Sequence, residues 1–261
     1  MTPTRVHRSS VRGRLHALHV VAVLVPALAV LAPVTAQTPP PATMRSYQLV
    51  LLWRGPEASA EQTPEAERVQ AGHRARMVEL WEQGVLAGAG PVLDNGDLRG
   101  VFIMTAASLD AARALVAEDP AVKAGRLRAE VLEWYGPVGI GEAYRARRKA
   151  DPSATDVMVR YQFGFLTRGP AYTTEETPAL LDLHKAHLAH LSGMARAGKL
   201  AAAGPLSGSD RLAGVLVFAM ERTEDAVALA SEDPGVKAGR FLVELHPWTV
   251  AEGVVPRMKA W

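Results

Sequence analysis

The feature that most constrains this chain is a nine-residue stretch that occurs twice. Glu118-Asp119-Pro120-Ala121-Val122-Lys123-Ala124-Gly125-Arg126 returns 114 positions later as Glu232-Asp233-Pro234-Gly235-Val236-Lys237-Ala238-Gly239-Arg240. Ala121 and Gly235 mark the single difference. The offset holds without a gap from Tyr47–Trp134 to Tyr161–Trp248, with about a third of positions identical. A repeat this long means two copies of one supersecondary unit rather than one irregular fold.

Each copy has the same order of local signals. A strand pattern over Ser46 to Trp53, or Val157 to Leu166, ends at Arg54-Gly55-Pro56 or Arg168-Gly169-Pro170. Thr63-Pro64 and Thr177-Pro178 then place a capping hydroxyl before a proline at the first helical position. The helices run to the stop glycines Gly84 and Gly198. Next comes a hairpin, with Ala-Gly-Pro in its first strand. A second, alanine-rich helix, the nine-residue stretch and a last strand complete the copy. Strand, helix, hairpin, helix, strand is the βαββαβ order of ferredoxin-like units. The expected fold class is α+β, with two ferredoxin-like repeats at 45–136 and 157–250. A partly helical linker carrying Arg145, Arg147 and Arg148 spans 137–156, and 251–261 is a C-terminal tail.

Residues 1–36 stand outside this frame. Four arginines with no acid, an apolar run from Val20 to Leu31, and Val34-Thr35-Ala36 have the layout of a secretory signal cleaved after Ala36. The apolar run is short for a membrane span of ~20 residues. The expected location is therefore the periplasm or outside the cell, with no stable membrane contact once the signal is removed. Residues 37–44, rich in proline, read as a tether. The whole chain has 29 basic and 27 acidic residues, and removing four arginines leaves 25 against 27. With a net charge of −2 the basic pI owes much to the export signal and is no evidence of a nucleic-acid surface, so no nucleic-acid partner is expected. With no cysteine, the core alone must stabilise the fold.

Turned by 100° per residue, the helix after Pro178 places Leu180, Leu183, Leu191 and Met194 within about 40° of His187. Val69, Met77 and Leu80 surround His73 in the same way. Both histidines thus sit on the stripe that packs against the sheet, where the ring nitrogens need partners. Asp119 and Asp233 are the candidate neighbours. As Asp-Pro pairs they also have the character of caps on a short turn closed by Gly125 or Gly239. Lys123 and Lys237, four residues on, are expected to form surface pairs with the aspartates. His184, His187 and His190 are spaced by three and diverge around the helix, whereas a zinc helix uses spacing of four. No metal site is expected. The sequence contains no Gly-rich phosphate loop, serine elbow or cysteine nucleophile, and no cofactor is expected.

His187-Leu188 with Leu191, then Gly198-Lys199-Leu200, Ala203-Gly204-Pro205 and Asp233 to Gly239 together resemble the YCII-related domain (YciI-like proteins). The first copy matches less fully, with Arg74 after His73 and Val85 between Gly84 and Leu86. The resemblance implies the dimeric α+β barrel, here formed within one chain. It also implies that His73 with Asp119, and His187 with Asp233, are catalytic pairs. Some members of the family act as dehydrochlorinases or lactone isomerases on small ring compounds. The expectation is an exported protein whose His–Asp pair performs acid–base chemistry, of isomerase or lyase type, on a small and cyclic organic molecule. A non-catalytic small-molecule-binding domain and a structural or oligomerisation module are the alternatives. Whether the chain is an enzyme, and whether it forms a homo-oligomer, is left open at this point.

Overall fold

The computed structural model describes residues 43–256. The expected export signal, and all but the end of the tether, lie outside the described residues. The first repeat comprises β1 (Met44–Arg54), α1 (Pro64–Glu82), β2 (Leu86–Pro91), β3 (Leu98–Met104), α2 (Leu109–Ala117), the single turn α3 (Pro120–Lys123) and β4 (Leu127–Pro137). Helix α4 (Glu142–Ala150) occupies the linker. The second repeat follows as β5 (Met158–Arg168), α5 (Pro178–Arg196), β6 (Leu200–Ser207), β7 (Leu212–Phe218), α6 (Thr223–Ser231), α7 (Pro234–Lys237) and β8 (Phe241–Ala251). The caps act as their chemistry requires. Thr63 and Thr177 accept from the backbone N–H groups of Ala66 and Leu180, satisfying donors that no helical carbonyl can reach. Gly84 and Gly198, at φ +79° and +68°, end the helices in the left-handed region.

The strands form one sheet in the order β2-β3-β1-β4-β6-β7-β5-β8. Each half is an antiparallel four-stranded ferredoxin-like sheet. Two seams join them: Trp134 pairs with Leu206, and Val92 with Trp248. Residue by residue, these seams are equivalent under the 114-position offset. The eight strands therefore curve into a nearly closed barrel with an internal pseudo-twofold axis. The repeats are joined edge to edge, so the sheet edges at both seams are paired.

Tyr47, Leu49, Leu51 and Trp134 from the first repeat fill the barrel with Phe163, Phe165 and Trp248 from the second, all 1% exposed or less. Alternate residues such as Val50 and Leu52 pack outward beneath α1 and α2. The strands are apolar on both faces because both faces are covered. Burial continues past β8: Val254 and Val255 are in the barrel core, and the Val254 carbonyl accepts from Gly141 just before α4.

The Ala-Gly-Pro motifs belong to the seams. A Cβ on Gly90 would lie 1.9 Å from the Thr249 carbonyl oxygen, and one on Gly204 would lie 1.9 Å from that of Tyr135. Each glycine lets one repeat's backbone approach the other's, which is the physical reason for glycine there.

Candidate functional site

Helix α1 carries His73, and the residue that caps α3 is Asp119. The His73 ring Nδ1 lies 2.7 Å from Asp119 Oδ2. In the second repeat His187 on α5 and Asp233 before α7 form the same 2.7 Å contact. The other carboxylate oxygen accepts from the Ala121 N–H at 2.8 Å, or the Gly235 N–H at 2.7 Å. One aspartate thus fixes the turn and orients the imidazole at once. Both aspartates are 2% exposed, and the histidines 8% and 7%. The signature turn holds the carboxylate in place before any ligand arrives.

A carboxylate only accepts, so Nδ1 carries the proton in the neutral ring and Nε2 presents a lone pair. Nε2 of either ring has no partner among the described residues, and each histidine lines a cavity. The second-repeat cavity, of about 360 Å³, is predominantly apolar, with Leu166, Leu191, Pro205 and Phe241 among its walls and His187, His184, Thr43 and Tyr135 as its polar side chains. Met44 and Tyr135 of the first repeat complete it. The first-repeat cavity is larger, about 640 Å³, and Met158 of the second repeat reaches it. Both volumes fall in the range of small-molecule sites.

The other candidates find different partners. His190 Nε2 lies 3.1 Å from the Leu229 carbonyl, while His184 lines the apolar cavity. No group of three or more His, Cys, Asp or Glu side chains among the described residues is placed to hold a metal ion. Lys123 and Lys237 pair with Glu118 and Glu232, not with the aspartates. The correction has a simple cause: both aspartate oxygens are already engaged and buried.

Two features escaped the sequence reading. Four arginines, Arg54, Arg74, Arg99 and Arg126, line the first cavity. Aligning the repeats marks Arg74 as a departure without showing the cavity it lines, and the same alignment holds the signal for Arg99; the two stand where the second repeat has Leu188 and Ala213. At one seam His246 lies 2.7 Å from Asp94 of the first repeat and 3.1 Å from Glu244. The other seam has Leu132 and Gly208 at the places of His246 and Asp94.

Residues 48–135 and 169–249 each match the YCII-related domain. The chain belongs to the YCII-related domain family. No curated protein matches it. Among solved structures, it is similar to a mutant chlorite dismutase from Candidatus Nitrospira defluvii, with a TM-score of 0.52 and 11% identity. That likeness covers 80% of this chain and 92% of the other, and it shows a shared fold. A heme-binding protein from Thermus thermophilus is also similar, with a TM-score of 0.44 and 18% identity over 80% of this chain and 92% of that one. No helix among the described residues of this YCII-related protein is long and apolar enough to cross a membrane.

Proposed function

We propose that the second repeat is an acid–base site acting on a small, uncharged, predominantly apolar organic molecule, with His187 and Asp233 as the working pair. The observation that carries this reading is the unpartnered Nε2 of His187 at an apolar cavity, its tautomer set by Asp233. Nε2 would take a proton from a carbon of the bound molecule. Isomerisation follows if the proton returns to another carbon. Elimination follows if a leaving group departs with its electron pair. In both, the buried carboxylate stabilises the imidazolium while it exists. The dimensions of the cavity favour a molecule of one or two rings.

Asp233→Asn is the decisive variant. The asparagine oxygen still caps Gly235, but its amide now donates to Nδ1, so Nε2 becomes the protonated nitrogen and stops acting as a base. With a substrate identified by thermal-shift screening, turnover should fall by on the order of 10²–10⁴-fold while folding and ligand binding persist. Turnover unchanged in this variant would rule the mechanism out. Binding without turnover in the parent protein would make this a binding domain. On the same reading the protein acts after export. Mass spectrometry of the exported form should then show a chain beginning at Gln37, and an intact residue 1–36 segment would contradict this.

A further inference from the structure

The first repeat keeps the His–Asp pair but surrounds it with a different wall, and the cause can be traced to four positions. In the second repeat Arg168 and Arg240 lie over the Tyr172 ring at 4.9 and 4.6 Å, and Arg240 also lies over Phe241 at 5.4 Å. These stacking contacts satisfy the guanidinium faces against aromatic carbon, and neither arginine lines the apolar cavity. At the place of Tyr172 the first repeat has Ala58, and at that of Phe241 it has Leu127. Without those rings Arg54 and Arg126 line the first cavity, and Ala58 lines it too. Arg74 and Arg99 add two further guanidinium groups where the second repeat has Leu188 and Ala213.

The charge is not balanced locally. No acidic residue among the described residues lines this cavity. Arg54 has a carboxylate partner, the exposed Asp97 at 3.4 Å. Among the described residues the Arg99 guanidinium donates to the carbonyls of Asp94 and Gly96, and that of Arg126 to the carbonyl of Ser59. Arg74 has no hydrogen-bonding or ionic partner among the described residues. Apolar walls from Leu52, Met77 and Phe102 lie on the same cavity.

We propose that the first-repeat cavity is a second ligand site, specific for a small organic anion with an apolar body, such as an arene carboxylate. The body would pack against Phe102, Met77 and Leu52, and the anionic group would be held by the arginines. Guanidinium groups bind carboxylates through paired, charge-assisted N–H donors, which an ammonium group could not match. This site is separate from His187, and the inference stands whatever that histidine does.

The test uses the full mature chain, with benzoate, its neutral isostere benzamide, and inorganic sulfate as probes, followed by calorimetry and backbone NMR. Benzoate should bind at least tenfold more tightly than benzamide, shift the amides around His73 and Phe102, and weaken as salt is raised. The double variant Arg74→Leu with Arg99→Ala installs the second repeat's own residues and should lose benzoate binding at least tenfold. Ala58→Tyr, which supplies the ring over which Arg54 and Arg126 can stack, should weaken it independently. Sulfate as tight as benzoate would show a bare anion patch and overturn the organic-anion claim. Equal benzoate affinity in the parent and in both variants, or benzoate shifts at His187 instead, would overturn the assignment of the site. A fold check by the amide spectrum accompanies each variant, and Ala58→Tyr provides the decisive reading if the double variant does not fold.

Discussion

In the second repeat Arg168 and Arg240 are stacked on Tyr172, and the cavity beside His187 is apolar. In the first, Ala58 replaces the tyrosine, and arginines line the cavity beside His73. The His–Asp contacts themselves are the same, 2.7 Å in both. What the repeats share is what the backbone needs: the capped turn, the seam glycines, the helix caps. About two-thirds of the positions differ, and those that change the character of the ligand-sized spaces include Ala58/Tyr172, Arg74/Leu188, Arg99/Ala213 and Leu127/Phe241. Such a division is expected when one barrel carries two cavities, since a wall residue changes without disturbing the fold.

The equivalence of the repeats breaks if their shared features prove unequal. The largest effect on stability should come from the seams. Gly90→Ala and Gly204→Ala each push a methyl carbon into a backbone carbonyl that has little room to move. Each should cost on the order of 4 kcal/mol, above the usual overpacking cost because the neighbour is backbone. Chemical denaturation should find the two variants alike. A marked difference would mean that the seams are not equivalent.

A smaller effect should follow from Asp119→Ala and Asp233→Ala. Each removes a turn cap and leaves a buried imidazole N–H unpaired, for a loss of about 2 kcal/mol. Equal losses would confirm that the aspartates hold the fold in both repeats, whatever else one of them does. If only one variant is destabilised, the structural role is confined to that repeat.

Much of this architecture was legible in the sequence because its signals are local and duplicated. Thr63-Pro64 and Gly84 mark a helix by chemistry confined to a few residues, and the second copy repeats each mark. His187 and Asp233 could be paired because helical periodicity put the ring on the packing face and the signature turn supplied a carboxylate. Asp233 fills both roles its sequence context suggests, cap and ring partner, because each carboxylate oxygen serves one of them. The seam role of Gly90 and Gly204 was not legible, because the carbonyl that excludes a Cβ comes from the other repeat. Nor was the capture of Arg168 and Arg240 by Tyr172. A cation over a ring follows no spacing rule, because the partners meet through the fold and not along the chain.

The central claim is that one barrel holds two His–Asp sites of opposite preference. Imidazole ¹⁵N NMR of the full chain reads both at once, with His73→Gln and His187→Gln assigning the signals. Both rings should show Nδ1–H with unprotonated Nε2 in the neutral form. Benzoate should then move the His73 Nε2 signal and leave that of His187, while benzene, as a neutral apolar probe, should move His187 and leave His73. Both probes acting on the same histidine, or a ring protonated at Nε2 instead of Nδ1, would contradict the account.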